Sequence, residues 1–460
     1  MNRNKEFWRD PFRAVMMAVP KGRYAFMLCA AVCVLFAFGA MRILDASGKE
    51  GAAVIALCGA AGVAILLWGM AGALREEGHN TILWLCGAAL SMLAVAGHLA
   101  MLDIAPGRYG NVLKPLFEDM WNYEMITAFA WEDDCWSGVY LFVCGLISRL
   151  ETFSALYAVK LFDMLCQCLC GAAAARIVRT CGGGAGRALG ATIACVFAPT
   201  MLMNAGLWAQ CDATFAMFAL WGLYMLLADK PLFGCILWGL ALGTKLQSAF
   251  LFPLLIVLFM ARRVSLRHLL ALFGAFVLSQ MAFVLDGQGV AAMFNRYAGQ
   301  IDMAKEAYGL ADHAPGVYSL MTVASVREFS GMGVCLALAA ALLVVSALLR
   351  ARKPLDNDML LLAGLLLACG LPLILPQMNA RMLYLAGMLA FCCAKNAKLL
   401  AAAIGLEFIS LCSYMEAIFG LVLVPMNVLS LLAIAAAVVV ALELLAHVLG
   451  HDVNGQEERA

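Results

Sequence analysis

Long apolar runs recur along almost the whole of this 460-residue chain, and they constrain its fold more than any other feature. Many of them reach the length of about 18 residues that a helix needs to cross a lipid bilayer. Hydrophobic residues make up 64% of the sequence and charged residues only 13%, against roughly 25% in soluble domains. Because no water satisfies open backbone groups inside a bilayer, these spans must be helices. The sequence therefore predicts an all-α fold, a polytopic bundle of transmembrane helices.

The hydropathy pattern predicts about fourteen hydrophobic helices, some of them short enough to be tilted or re-entrant, so that about 11–14 belong to the bundle. They cover residues 24–44, 52–74, 81–102, 154–178, 188–206, 211–228, 232–244, 247–261, 268–286, 331–349, 358–377, 381–394, 397–413 and 423–448.

Charge and span pattern together divide the chain into five segments. Residues 1–23 carry six Lys and Arg residues and no small-residue cleavage motif, so they are interpreted as a cytoplasmic basic arm and not as a removable signal peptide. The remaining segments are N-terminal transmembrane helices at 24–102, a core at 103–394, C-terminal transmembrane helices at 395–448 and a cytoplasmic tail at 449–460.

The basic residues predict the orientation of the helices. With the N-terminus in the cytoplasm, the positive-inside rule is satisfied by almost every basic cluster, and both termini are expected to be cytoplasmic in a multi-pass cell-membrane protein. These clusters are Arg176, Arg179 and Arg187; Arg262, Arg263 and Arg267; Arg350, Arg352 and Lys353; and Lys395 and Lys398.

The same orientation places two long loops, 103–153 and 287–330, outside the cytoplasm. Their stretches of mixed polarity predict short amphipathic helices at the membrane surface. The unusual polar residues of the chain gather on this extracytoplasmic side, which indicates a functional site at the boundary of membrane and water. A net charge of +1 gives no indication of a nucleic-acid partner.

Three short stretches supply candidate binding residues on that side. NAGLWAQCDATF, residues 204–215, contains Trp208, Gln210 and Asp212, whose carboxylate either complements the dipole of the following helix or takes part in a site.

Lys245 and Gln247 lie in GTKLQ, where a lysine at the edge of a span is either functional or reaches back to the interface. Arg381, in PQMNARMLY, either binds a phosphate through two parallel hydrogen bonds or anchors the chain at the interface.

Candidate acid–base residues come from the outer loops. Asp103, Asp133 and Asp134 could each serve as a general base, the adjacent pair could hold a divalent cation, and all three are equally compatible with a solvated acidic loop. His313, in DHAPGVY, is either a turn residue or a binding residue. Within the fourth helix, Lys160 and Asp163 share a face and are expected to form a structural ion pair.

Residues 204–255 resemble the bacterial GT-C-type integral-membrane glycosyltransferases, in the branch similar to the dolichol-linked and GPI-anchor mannosyltransferases. The usual pattern is an Asn, then W-G-Q-x-D, a helix, a turn, and G-L-A-x-x-x-K-x-Q. Trp208, Gln210 and Asp212 match the first motif, with Ala209 in place of its Gly, and Lys245 and Gln247 match the second. Weaker likenesses extend over about 103–394: ADHAPGVYSLM resembles an N-A-P-N-x-Y segment, and LPQMNARMLYLAGMLA resembles an M-H-E-R-Y-x-Y-L-A-D segment.

The chain departs from this pattern at residues that the resemblance would make catalytic. Arg108 stands where the first outer loop normally has its acidic residue, Asn379 and Ala380 replace the His and Glu before Arg381, and Gly387 replaces a later acid. Arg108 is kept among the candidate substrate-binding residues. Either Asp103, Asp133 or Asp134 serves as the base, or catalysis is altered or lost.

The resemblance implies an enzyme that transfers a hexose, such as mannose, from a polyprenyl-phosphate donor to a lipid-linked or cell-envelope acceptor outside the cytoplasm. Lys245 and Arg381 would hold the leaving phosphate, so that a divalent cation is compatible but no cofactor is required. Two alternatives stay open: a transporter or flippase for lipid-linked saccharides, and a binding subunit without catalysis on the same fold.

Overall fold

The computed structural model describes residues 23–74, 81–106, 114–115, 117–118, 137–148, 154–285, 289–321 and 326–450. Within these residues the chain is almost entirely helical, as the apolar runs require. Three long helices come first and form an N-terminal group: α1 (Arg23–Ala46), α2 (Ala52–Leu74) and α3 (Thr81–Ala100).

The remaining elements form the larger part of the bundle. In chain order they are α4 (Gly138–Ser148), α5 (Ala155–Thr180), α6 (Ala185–Phe197), α7 (Pro199–Leu202), α8 (Asp212–Leu227), α9 (Pro231–Thr244), α10 (Pro253–Met260), α11 (Leu266–Ser279), α12 (Met281–Leu285), α13 (Ala292–Tyr308), β1 (Ala311–Asp312), α14 (Val326–Leu349), α15 (Asn357–Ile374), β2 (Met378–Asn379), α16 (Tyr384–Cys393), α17 (Ala397–Phe419) and α18 (Met426–Leu449). A π-helix (Met203–Leu207) continues α7, and 3₁₀ helices span Leu246–Leu251 and Val317–Leu320.

The fold class predicted from the sequence is confirmed. Among the described residues, eight helices are long and apolar enough to cross a membrane, and a ninth span results if α6 and its bent continuation are counted as one. Five shorter apolar helices, of 10–17 residues, complete the set. Every predicted hydrophobic helix thus has a counterpart in the structure.

One predicted span, 188–206, is broken. The helix bends by 43° between α6 and α7, at Pro199, whose ring cannot donate a backbone hydrogen bond. The carboxylate of Glu407 on α17 accepts hydrogen bonds from the Thr200 backbone N–H and from Thr200 Oγ1, the former at 2.8 Å. A buried acid on another helix therefore supplies the partner that the broken helix lacks.

Two apolar cores meet along α5 and α6. The larger core is built from α5 to α18, and the smaller one joins α1, α2 and α3 to the faces of α5 and α6. A third, small cluster lies around Tyr140, Leu156 and Phe283 near the beginnings of α4 and α5. The helix α1 faces outward over most of its surface, because it packs mainly against α2.

The basic clusters from which the orientation is predicted meet acidic residues at one end of the bundle. At one end, Arg263 binds Asp229 beyond α8, Lys395 binds Asp358 at the start of α15, and His447 lies against Asp356. The clusters at 176–187, 262–267, 350–353 and 395–398 all belong to this basic end. The beginning of α8, the end of α9 and the beginning of α16 lie at the opposite end.

The two long loops that are predicted to lie outside the cytoplasm contain short helices. The second loop forms α13 and, through β1, a two-residue parallel pairing with β2, in which Ala311 faces Met378 and Asp312 faces Asn379. In the first loop the structure describes only a few residues before α4. The pairing of β1 with β2 holds the second loop against the segment that carries Arg381.

Candidate functional site

Asp212 is the centre of the candidate site. It is the first residue of α8, and its side chain is fully buried. The carboxylate forms an ion pair with Lys245, lies 3.5 Å from Nη1 of Arg381 and accepts a hydrogen bond of 2.8 Å from Asn204 Nδ2. Two cations from separate parts of the chain therefore share one carboxylate.

Local backbone geometry brings Lys245 to this carboxylate. The helix α9 ends at Thr244, and Lys245 adopts an extended conformation, with φ −156° and ψ 133°, before the 3₁₀ helix begins. The side chain leaves the helix end at this break and remains 21% exposed. Pro253 then starts α10, because a proline at the first helical position lacks only an N–H that would be unpaired.

Arg381 is held by the strand that precedes it. The Asn379 side chain accepts a hydrogen bond of 3.1 Å from the Arg381 backbone N–H, and Nη1 donates to Oε1 of Gln210 at 2.5 Å. The guanidinium lies over the Trp208 ring, 5.4 Å from its centroid, and the side chain is only 10% exposed. Burial alone would lower the pKa of Arg381, but the Asp212 carboxylate outweighs it and raises that pKa.

The π-helix aims Trp208 at the site. Its backbone N–H reaches the Met203 carbonyl, and the indole packs edge-on against the Tyr414 ring, 5.2 Å away. The next residue, Ala209, has a φ of 52°, in the left-handed region that favours glycine. This conformation gives a physical reason for the Gly in the motif that the stretch resembles.

A cavity of about 460 Å³ opens in front of the two cations. Its wall is largely apolar, with contributions from the 3₁₀ helix, α13 and α14, and its polar part is rich in amides. The polar residues that line the cavity include Gln210, Lys245, Gln247, Gln300, Gln377, Asn379 and Arg381, together with Tyr140 and Cys211.

The structure brings six of the predicted site residues together. Gln210, Lys245, Gln247 and Arg381 line the cavity, Trp208 supports the guanidinium, and Asp212 lies behind the wall, where it faces the cations. Since one carboxylate balances only one of the two cations, the site carries one excess positive charge.

His313 and Asp103 have other partners. His313 follows β1, and its Nδ1 lies 3.1 Å from Oε1 of Glu416. Asp103 follows α3 and accepts hydrogen bonds from Lys49 and Tyr157, which lower the pKa of its carboxyl group. Neither residue is among the described residues that line the cavity. Arg108, Asp133 and Asp134 lie outside the described residues.

The predicted ion pair of Lys160 with Asp163 is wrong. Lys160 Nζ instead donates to the backbone carbonyls of Met101 and Ile104, each at 2.6 Å, beyond the end of α3. The physical reason is that these carbonyls lie just beyond the end of α3, where no further helical turn uses them fully, so a cation can bind both; the Met101 carbonyl also accepts a hydrogen bond of 3.2 Å from the Ile104 backbone N–H. Both oxygens of Asp163 are buried and have no hydrogen-bond partner in the described part of the chain.

Sequence reasoning did not find two supports of the site. Tyr414, on α17, has its hydroxyl 3.0 Å from Asn204 Nδ2, and Asn204 itself links Tyr414 to Asp212. Asn204 begins the motif that residues 204–255 resemble, but the sequence assigns it no partner. A tyrosine in an apolar run gives no signal of its own, because its partner is 210 residues away.

The fold, the cation pair and the spans define a multi-pass membrane protein with a cationic cavity at one end of its bundle. Comparison with protein-family models and with curated proteins finds no match to the chain. In the residues that the structure covers, no three His, Cys, Asp or Glu side chains are grouped to hold a metal ion.

Proposed function

We propose that the protein transfers a sugar from a polyprenyl-phosphate donor to a lipid-linked or cell-envelope acceptor. The observation that carries this proposal is the pair Lys245 and Arg381, which share the buried carboxylate of Asp212 and face a cavity. The excess positive charge of this group favours an anion in the cavity.

A phosphate fits the chemistry of these two cations. Arg381 uses Nη1 for its contacts with both Gln210 and Asp212. The guanidinium group has further N–H donors in one plane, and their geometry matches the oxygens of a phosphate. In the transfer step the acceptor hydroxyl attacks the anomeric carbon of the sugar, and the bond from that carbon to the phosphate oxygen breaks. The phosphate leaves with the electron pair, where fixed cations offset its growing charge.

The rest of the lining supports a glycolipid donor. Amide groups of Gln247, Gln300 and Asn379 suit sugar hydroxyls, since an amide both donates and accepts hydrogen bonds. Apolar side chains of the 3₁₀ helix and α14, among them Leu246 and Val334, suit a hydrocarbon chain. The basic clusters at the other end of the bundle support an extracytoplasmic position for the cavity.

The acceptor proton requires a base, and we assign this role to Asp133 or Asp134. None of the described residues that line the cavity is Asp or Glu. Asp103 is a poor base, because Lys49 and Tyr157 lower the pKa of its carboxyl group. We therefore expect Asp103→Asn to retain transfer and a substitution at 133 or 134 to abolish it.

The decisive experiment measures transfer from labelled polyprenyl-phosphate mannose by protein in nanodiscs. Arg381→Ala is expected to reduce the rate about 10²- to 10³-fold, as the loss of one charge-stabilising donor does in other enzymes. Lys305→Ala is the matched control, because Lys305 is an exposed cation on α13, paired with Asp302 at 2.7 Å. Equal rates for Arg381→Ala and the wild type would remove the proposal.

A second candidate is a binding subunit without catalysis, favoured by the lack of a carboxylate among the described lining residues. It predicts that the donor binds in an Arg381-dependent manner, while substitution of Asp103, Asp133 or Asp134 leaves the cellular phenotype unchanged. Turnover of the donor by the purified wild type would exclude it.

A further inference from the structure

Asp163 is a buried acid that the proposed transfer does not use. It lies in the first half of α5, its side chain is fully buried, and neither carboxyl oxygen has a hydrogen-bond partner among the described residues. Its neighbour on the same helix face, Lys160, is directed to the carbonyls beyond α3. An ionised carboxylate in such surroundings loses its hydration without compensation, and this cost disappears when a proton binds.

Among the residues that the structure describes, no cation is a recorded neighbour of Asp163. Cys166 faces it from α5 itself, and Thr214, whose hydroxyl is directed to the Cys166 sulfur at 3.9 Å, faces it from α8. Among the described residues, the acidic neighbour is Asp212 at the start of α8. The other titratable neighbours are thiols and phenols, namely Cys211 before α8, Tyr140 and Cys144 on α4, and Tyr384 on α16.

The two acids therefore differ in their surroundings. Asp212 stays ionised because it lies between Lys245 and Arg381 and accepts a hydrogen bond from Asn204. Asp163 has no such partners among the described residues, so the charge of its ionised form would be left uncompensated.

We propose that Asp163 is a proton-binding site whose occupancy sets the charge of the Lys245–Asp212–Arg381 cluster and thereby links anion binding in the cavity to protonation. The inference rests on the proposed anion site. With Asp163 protonated the group carries one excess positive charge, and with Asp163 ionised the two acids and two cations balance. The anion then binds more tightly at low pH, and by linkage a bound anion holds the proton on Asp163.

Asp163 and the cavity share two neighbouring side chains. Tyr140 and Cys211 line the cavity, and both interact electrostatically with Asp163. Asp163 does not line the cavity, so its interaction with a bound anion is electrostatic and involves no direct contact.

The first test uses infrared spectroscopy of the protein in nanodiscs. The wild type is expected to show the carbonyl band of a protonated carboxylic acid at neutral pH, and Asp163→Asn is expected to lose it. Glu407→Gln is the matched control, because Glu407 is another acid within a span but is hydrogen-bonded to Thr200. Absence of an acid carbonyl band at neutral pH in Glu407→Gln would overturn the proposal, and this measurement does not depend on the folding of Asp163→Asn.

The second test measures binding of dibutyl phosphate, whose single negative charge does not change over the titration. The affinity of the wild type is expected to fall about tenfold over the pH range in which the carbonyl band of the acid disappears. This tenfold change in affinity corresponds to about 1.4 kcal/mol of binding free energy. Asp163→Asn should bind with the low-pH affinity at every pH, and Glu407→Gln should behave as the wild type.

The two proposals fail in different ways. Binding that is independent of pH in the wild type, or a pH dependence that persists in Asp163→Asn, removes the proton linkage and leaves the anion site intact. Failure of dibutyl phosphate to bind at any pH removes the proton linkage together with the proposed function.

Discussion

Asp212 organises residues that are far apart in the sequence. Its buried carboxylate contacts Lys245, Arg381 and Asn204, and these contacts fix both cations at the cavity wall. Because the Asp212 side chain lies behind the cavity wall, its negative charge positions Lys245 and Arg381 and does not face the cavity itself.

Replacement of Asp212 by alanine should destabilise the protein strongly. Two largely buried cations would face each other without a counter-ion, and breaking a buried pair costs about 3–5 kcal/mol. The exposed pair of Asp302 with Lys305 provides the comparison, and Asp302→Ala should change stability by less than about 1 kcal/mol. Unfolding free energies of both variants in mixed micelles test this expectation, and equal losses would contradict it.

The Asp103 carboxylate should stabilise the fold in a pH-dependent way. Hydrogen bonds from Lys49 and Tyr157 lower its pKa, so its contribution is present above the unfolded value of about 3.9 and is lost as pH falls through the folded pKa. The stability difference between the wild type and Asp103→Asn should therefore be present at neutral pH and shrink on acidification. Measured unfolding free energies across this range check the sign, and a difference that grows on acidification would refute it.

At the scale of elements, the sequence predicts the helices better than their breaks. The limits of α2 coincide with the predicted 52–74, because continuous apolar composition marks a span directly. The bend between α6 and α7 was not predicted, although Pro199 is visible in the sequence. Its partner Glu407 follows more than 200 residues later, and only tertiary structure brings the two together.

This bend should depend on Glu407. In Glu407→Leu the Thr200 N–H loses its acceptor inside the membrane, and a lost cap costs about 0.5–2 kcal/mol. Glu407→Gln retains an acceptor oxygen and should lose less than Glu407→Leu. Thermal unfolding of the two variants tests the order, and the reverse order would show that the hydrogen bond does not stabilise the bend.

The candidate site was predictable only in part. Trp208, Gln210, Asp212, Lys245 and Arg381 were found because polar residues in apolar surroundings stand out. Their mutual contacts, and the direction of Lys160 away from Asp163, depend on how loops meet in space, which periodicity does not encode.

For the whole molecule, the position of the basic clusters 176–187, 262–267, 350–353 and 395–398 away from the cavity predicts its orientation. Lys305 lies exposed on α13 at the cavity end, and Arg350 lies exposed after α14 at the basic end. In intact cells a membrane-impermeant maleimide should label Lys305→Cys above the wild-type background, and it should label Arg350→Cys only after permeabilisation. The opposite labelling pattern would reverse the orientation.

The spacing of the cluster along the chain has a consequence for biosynthesis. Lys245 follows Asp212 by 33 residues, whereas Arg381 follows it by 169. At roughly 5–20 residues per second, a ribosome completes the first pair within several seconds and adds the arginine about 7–27 s after that. The ion pair of Lys245 with Asp212 thus forms within one hairpin of α8 and α9, and the cluster gains its second cation only when the segment after α15 has been made.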